Sequence, residues 1–367
     1  VDVIVVGGGP AGSTCAWRLV HGGARVLVVD AARFPRDKVC AGWITPQVAE
    51  HLALDTAAYA ARYTYQPLRG FRVGWVGEDA AVAVEYSRPI SAAIRRCEFD
   101  GYLLSRSGAK VSQGTPVSTI RRHDRRWIVN EGWSAPIVVG AAGYNCPVAR
   151  ALNGPSTTRA ALIVAREVEF VLSGRSLETC AVESAVAELF FTADLAGYGW
   201  CVRKQNVMNV GLGRLDRQLT RTEVDAFARF VGRRRRFDVP PLDRWRGHAY
   251  IAGAPPARQR AGQGLVLIGD AAGLASEKSG EGIGPAVESG LMAANLILEG
   301  GFSPDALSRY EGLVARRWSA PGPLSRLTGL VPDAVTRPIA RRLLRSRGFV
   351  RRVVLNRWFL HANEIAA

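Results

Sequence analysis

Apolar residues in this chain fall into runs of two kinds. Val3-Ile4-Val5-Val6, Val26-Leu27-Val28-Val29, Ile137-Val138-Val139 and Val266-Leu267-Ile268 are short and unbroken, each closed by a glycine or an acid. Such runs predict strands buried on both faces, as in a parallel sheet covered by helices. The first leads directly into a helical segment through Leu19, and the last is followed by Ile283, Val287, Leu291 and Ala294 at helical spacing. Elsewhere the period shortens. Gly70 to Val84 alternates, and Val111 to Val129 reads as short strands broken by Gly114, Pro116 and His123-Asp124. Strand patterns dominate from Arg159 to Gly213, in Ala161 to Phe170, Ala187 to Thr192 and Val207 to Gly213. Thr222 to Val231 reads as a helix, with Pro240-Pro241 and Pro255-Pro256 as loops.

These periods place the chain in the α/β (α+β) class. A Rossmann-like lobe is expected from 1–70, 93–155 and 256–300, a mostly antiparallel β-sheet substrate lobe from 71–92 and 156–255, and a helical C-terminal region from 301–367. At 367 residues the chain exceeds the usual size of one domain, which agrees with two lobes.

The candidate chemistry sits where the buried runs end. Gly7-Gly8-Gly9-Pro10-Ala11-Gly12 carries G-x-G-x-x-G between strand and helix, with one glycine for the turn, one for backbone approach to a pyrophosphate and one for helix packing. Asp30 closes the next strand, where an acid can hold an adenosine ribose. Gly269-Asp270 closes the last buried run, and Asp270 can reach a ribitol or ribose hydroxyl. Beyond it, Ser279-Gly280-Glu281-Gly282 opens a helix whose free N–H groups and dipole favour negative charge at the loop. Together the two halves predict an FAD site.

Composition narrows the partners. Six cysteines, with no C-x-x-C pair, argue against zinc and against a disulfide framework. No apolar run is long enough to cross a membrane and no signal peptide precedes the first strand, so a cytoplasmic protein, or one peripheral to a membrane surface, is expected. The net charge of +16 comes almost wholly from arginine, the lysines being only Lys38, Lys110, Lys204 and Lys278, and no nucleic-acid module accompanies it; nucleic acid is not an expected partner. From Arg309 onward twelve arginines face only Glu311, Asp333 and Glu364. Ile339, Leu343, Val350, Val354 and Trp358 recur there near helical spacing, with Arg341, Arg342, Arg345, Arg351 and Arg352 between them. This reads either as helices packed on the body with a solvated basic face, or as a surface for an anionic membrane or an acidic protein. Arg233 to Arg236 reads as a solvated loop or helix end.

Five blocks occur in order along nearly the whole chain: GGGPAG with Asp30, Phe34 to Gly42, Ile94 to Leu104, Val138 to Arg150, and IGDAAG followed by SGEGI. In this order they resemble the p-hydroxybenzoate hydroxylase superfamily of flavoproteins. Arg36, Lys38 and Cys40, the Gly280-Glu281-Gly282 turn, and Tyr198-Gly199-Trp200 before Asn209-Val210-Gly211 resemble its geranylgeranyl reductase-like branch. The chain departs from that branch at Val202-Arg203, where Phe-Pro is usual, at Ala142, usually acidic, and at Glu277 or Lys278, where a proline is favoured. The resemblance implies that Gly7, Gly9, Pro10, Ala11 and Gly12 cradle the pyrophosphate and that Asp30 holds the adenosine ribose. It also implies that Arg96 reaches the FAD phosphates or ribityl chain, that Gly269 and Asp270 meet the ribityl chain, and that Gly280, Gly282 and Ile283 lie beside the isoalloxazine. Arg36, Lys38 and Cys40 fall on the same cofactor side, Cys40 as a group near the flavin or as a buried apolar cysteine. Tyr198 and Trp200 are substrate-pocket walls or core aromatics.

The expected activity is FAD-dependent oxidoreduction of a bulky apolar or aromatic substrate, free or protein-borne. Carbon–carbon double-bond reduction follows the branch, and hydroxylation through a C4a-hydroperoxide follows the wider superfamily. A flavin-binding scaffold without turnover is the reading of another class. A single G-x-G-x-x-G unit leaves no second nucleotide domain, so NAD(P)H must dock transiently or a redox protein must supply electrons. His21, His51, His123, His248 and His361 lie in unrelated segments and are expected at the surface or in the core rather than in catalysis.

Overall fold

The computed structural model describes residues 1–154, 162–215, 219–253, 258–318 and 333–361, with side chains in the last segment from 338 onward. The expected strand start at Arg159 to Ala161, the Pro255-Pro256 loop, the Arg337 side chain and Glu364 lie outside the described residues.

The unbroken apolar runs form one sheet. Its strand order is Ala261–Gly262, Leu265–Leu267, Ile137–Gly140, Val3–Val6, Val26–Asp30 and Lys110–Gln113, parallel except at the Ala261–Gly262 edge. Val3 to Val6 are all buried because both neighbours are strands and helices cover the faces. Pro10–His21 begins with proline at its first turn, where the missing N–H costs nothing, and ends at Gly22. It packs against Ile283–Glu299 so closely that a Cβ on Gly290 would lie 2.7 Å from Ala11 O. From Val3–Val6 the chain adds strands on one side, and from Ile137–Gly140 on the other. The carboxyl ends of these two neighbours therefore open the crevice in which such sheets bind ligands.

The shorter-period segments form a second sheet, in the order Arg246–Ile251, Leu162–Val171, Val207–Leu215, Gly197–Lys204, Val186–Phe191, Gly70–Trp75 and Ala81–Glu85. It is antiparallel except for the parallel pair Val186–Phe191 with Gly70–Trp75. Val186–Phe191 is buried along its whole length because both faces of the sheet are covered. On one face lies the helix Arg221–Arg235, started by a capping box in which Thr220 and Glu223 satisfy each other's backbone N–H. Phe227 of this helix sits where a Cβ on Gly199 would be, 2.3 Å from its ring.

The C-terminal region covers the other face. Asp333–Leu343 is one helix, Ser346 caps a new start, and Val350–Phe359 continues as a wider π-type helix. Val350, Val354, Leu355 and Phe359 pack with Trp43, Phe71, Trp75 and Trp200, whereas Ile339 and Leu343 remain exposed, 53% and 39%. The chain turns between the two halves, and Leu344 at the end of the first is buried in the same cluster as the second.

One correction concerns Arg233 to Arg236, which does end a helix but is not wholly solvated. Arg235 donates to Glu188, a carboxylate with no exposure in the centre of the sheet, through Nε at 2.7 Å and pairs with it through Nη2 at 2.6 Å. Arg72 approaches the same group at 3.5 Å, and Arg234 pairs with Asp79 at 2.6 Å. Removing Arg235 would leave a buried charge nearly alone. Arg235→Ala is expected to lower the unfolding free energy by about 3 kcal/mol, read by urea denaturation, against a change within ~0.5 kcal/mol for Arg233→Ala. Equal effects would contradict the buried pair.

Candidate functional site

The crevice at the strand ends is a cavity of about 490 Å³. Gly7, Gly9, Pro10, Ala11 and Asp30 line one part of it. Arg36, Lys38, Cys40 and Arg96 line another, and Asp270, Gly280, Gly282 and Ile283 a third. Gly12 and Gly269 stand behind the wall.

The glycines divide the work differently from one another. A Cβ on Gly12 would lie 1.9 Å from Gly7 O, and one on Gly7, whose φ is +110°, would lie 2.5 Å from the Ala141 carbonyl. These two positions serve the close packing of helix, turn and neighbouring loop. Gly9 differs: a Cβ there would meet only Arg36 Nη2, at 3.4 Å, so the missing side chain leaves space on the cavity side. The start of Pro10–His21 adds free backbone N–H groups at that place. Arg36 Nη1 is buried without a hydrogen bond, although it lies 3.2 Å from Asp100 Oδ2. A gap at Gly9, a helix start and an unsatisfied guanidinium nitrogen fit the diphosphate of FAD.

Asp30 does more than the spacing implied. Its Oδ2 accepts the Gly8 N–H at 2.6 Å and its Oδ1 the Ala32 N–H at 2.8 Å, so the carboxylate fixes the glycine turn while facing the cavity. Arg96 is held by Asp100 through two hydrogen bonds of 2.8 and 2.9 Å. It reaches the cavity wall already paired.

Asp270 meets two groups from distant segments. His248 Nε2 lies 3.7 Å from Asp270 Oδ2, and Lys38 Nζ lies 2.8 Å from the same ring nitrogen. Burial pulls the Lys38 ammonium down to about 8 and pulls His248 below its usual range, with the Lys38 charge adding to the latter. Burial alone would raise the Asp270 carboxyl, but the nearby His248 ring and the Lys38 charge hold it below its ordinary value. His248 is thus a partly buried histidine that faces the cavity and is held between Lys38 and Asp270. The signal was present: period two along Arg246–Ile251 puts His248 and Tyr250 on one face, and their rings stack at 5.8 Å.

A second cavity, of about 190 Å³, adjoins the first. Trp43, Ile163, Phe191, Leu195, Tyr198 and Trp200 give it apolar walls. Cys40, His248, Tyr250 and the Gly280, Gly282 and Ile283 positions line both cavities. Tyr198 and Trp200 are pocket walls and buried aromatics at once. Tyr198 donates its hydroxyl to Ser279 O, and Trp200 Nε1 donates to Asn209 Oδ1 at 2.7 Å. Asn209 Nδ2 in turn donates to Cys40 O at 3.2 Å and lies 3.3 Å from Glu167 Oε2, which accepts the Cys40 N–H at 2.7 Å. Burial pushes Glu167 up to about 8. Beside it, the fully buried Lys204 ammonium donates to Glu169 Oε2 at 2.7 Å. Asn209 opens the Asn209-Val210-Gly211 block, but Glu167, Glu169 and Lys204 were outside every motif, and only their burial on adjoining strands shows them.

Comparison with known proteins gives a consistent picture. Residues 2–87 match the family model described as FAD dependent oxidoreductase. A menaquinone reductase of Mycolicibacterium smegmatis is 29% identical over 93% of this chain and 88% of its own length. A digeranylgeranylglycerophospholipid reductase of Methanocaldococcus jannaschii is 25% identical over 86% of this chain and 82% of its own. The fold superposes on a geranylgeranyl bacteriochlorophyll reductase-like protein of Thermoplasma acidophilum with a TM-score of 0.70 at 20% identity, covering 94% of this chain and 87% of that one. A flavin-dependent halogenase, CmlS, superposes at 0.65 and 21% identity over 86% of this chain and 62% of its own. At these identities the structural likenesses show the fold.

The contrast between Gly9 and Gly12 is directly testable. Gly9→Val is expected to give folded protein that purifies without flavin, whereas Gly12→Ala should fail to fold stably, because its Cβ would lie 1.9 Å from a carbonyl oxygen. Absorbance near 450 nm and circular dichroism, taken together, separate the two. Full flavin occupancy in Gly9→Val would contradict the placement of the diphosphate.

Proposed function

We propose that this FAD-dependent oxidoreductase reduces a carbon–carbon double bond in a long, apolar, lipid-borne substrate. The observation that carries the reading is the shared wall of the two cavities, where Cys40, His248, Tyr250 and the Gly280 to Ile283 turn face both. The names of the menaquinone and digeranylgeranylglycerophospholipid reductases support an isoprenoid chain as the reducible group. NAD(P)H or a redox protein is the proposed source of electrons.

Each part of the chain then has a task. Gly9 and the helix start hold the diphosphate, Asp30 the adenosine ribose, and Asp270 the ribityl hydroxyls. FAD, when bound, supplies the two-electron chemistry. At the start of Ile283–Glu299 the Glu281 side chain accepts the Gly284 N–H at 2.5 Å, so the dipole end beside the ring edge is partly capped by the chain's own acid. Tyr198 and Trp200, fixed through Ser279 and Asn209, shape an apolar slot that excludes water.

Lipid-borne substrate requires access to a membrane surface. Among the described residues no helix is long and apolar enough to cross one, so the contact is peripheral. Residues 338–361 carry seven arginines and no acid, and Ile339 and Leu343 stand exposed beside Arg341, Arg342 and Arg345. Arg341 is engaged by Glu78, Arg345 lies 3.9 Å from the same carboxylate and Arg351 stacks on Tyr86, and the remaining arginines of the segment are proposed to face anionic headgroups.

Two experiments test this reading. Protein reduced anaerobically and mixed with geranylgeraniol in detergent should return to oxidised flavin with a saturated bond in the product. A requirement for oxygen, with a transient C4a-adduct spectrum, would replace reduction by hydroxylation. In co-sedimentation, vesicles containing anionic phospholipid should bind the protein in a salt-sensitive way. The variant Arg342→Glu/Arg345→Glu/Arg352→Glu should bind at least about tenfold more weakly. Equal binding by the variant would overturn the lipid surface, and retention on an acidic protein resin alone would assign the arginines to a protein partner.

A further inference from the structure

We propose that His248 and Lys38 act as the proton-delivery pair of this site, His248 handing a proton to the substrate carbon that does not receive hydride and Lys38 replacing it. The inference rests on the reading of the site as an alkene reductase. Saturating a double bond needs two different hydrogens. The π bond breaks, one C–H bond forms with the electron pair and hydrogen of the dihydroflavin, and the other forms with a proton. The flavin is oxidised, the alkene is reduced, and a side chain at the shared wall is placed to supply the proton.

Three titratable side chains line both cavities: Cys40, Tyr250 and His248. The Tyr250 hydroxyl donates to Gly280 O at 3.3 Å, and burial pushes its pKa well above the usual phenol value, so it holds its proton. Cys40 Sγ accepts the Gly42 N–H at 3.3 Å and has Arg96 beside it, a guanidinium that does not give up protons. His248 alone of the three has an ammonium group within hydrogen-bond distance, Lys38 Nζ at 2.8 Å from Nε2 and 3.3 Å from Nδ1. The charged groups around the ring are Lys38 and Arg36 from the 31–42 loop, Arg96 from the helix Arg96–Arg106, and Asp270 from the turn after Leu265–Leu267. Burial and the Lys38 and Arg96 charges keep the ring neutral, while Asp270 at 3.7 Å opposes them. A neutral ring works as a relay: it takes the Lys38 proton on one nitrogen as the other nitrogen gives its own. Lys38, brought down to about 8, is matched to donate near neutral pH and to regain its proton from water.

The test has two arms. Flavin-loaded protein is reduced with dithionite under nitrogen and mixed with geranylgeraniol, and the rate of flavin reoxidation is followed. His248→Gln is expected to slow reoxidation by about 100-fold, with partial rescue by added imidazole. In wild-type protein the step should also show a solvent deuterium isotope effect. A rate within about threefold of wild type would overturn the relay. The second arm needs no turnover: the His248 imidazole is titrated by NMR with and without flavin. Lys38→Met removes a neighbouring positive charge and is expected to raise that pKa, and an unmoved titration would overturn the pair. Wild-type protein that reduces no alkene but shows the coupled titration counts against the alkene reading alone, so the two failures are distinguishable.

Discussion

The hydrogen bond from the Cys40 N–H to the buried carboxylate of Glu167 is the joint on which the site depends. It ties the 31–42 loop, which carries Arg36, Lys38 and Cys40 out of the nucleotide lobe, to a strand in the middle of the substrate sheet. Glu167 shares Asn209 with Trp200, so one carboxylate sets both the cofactor-side loop and the substrate-side indole. Burying such a group is costly unless every partner is in place, and here each oxygen-facing donor comes from a different segment. The two cavities therefore keep a common wall because the lobes are pinned at this point.

Charge completes what the joint positions. Arg36, Lys38, Arg96 and Arg150 bring cations to the cavity wall, set against Asp30, Asp37 and Asp270 on the same wall and Asp100 behind it. The cations gather where the helix start at Gly9 adds its dipole, with Arg36 beside that glycine. A diphosphate and a reduced flavin both carry negative charge into that field. In a low-dielectric crevice this preorganised field acts more strongly than the same charges would in water.

What could be read in the sequence was what neighbours in sequence decide. Strand, turn and helix at Gly7 to Gly12 lie within one local unit, and Asp30 ends the very next strand. The same holds for Asp270 and the Gly280 to Ile283 turn. Alternation puts His248 on one face with Tyr250, but its partner Lys38 and the Glu167 partner Cys40 are 210 and 127 residues distant and could not be found this way. Ala165 pairs with His248 and Glu167 with Arg246, a register that alternation along a single strand does not fix. The C-terminal helices show what spacing leaves open. Helical spacing from Ile339 to Trp358 was genuine, but Ser346 restarts the helix and turns the two halves to different environments. Arg235, one of four identical residues in a row, gave no sign that it alone would end on a buried glutamate.

The most direct measurement is a crystal structure of the flavin-loaded protein. The account predicts the isoalloxazine lying between the Cys40 loop and the Gly280 to Ile283 turn, one face open to the cavity walled by Tyr198 and Trp200, with Cys40 N–H still on Glu167. An isoalloxazine turned away from that cavity, or a 31–42 loop detached from Glu167, would contradict it.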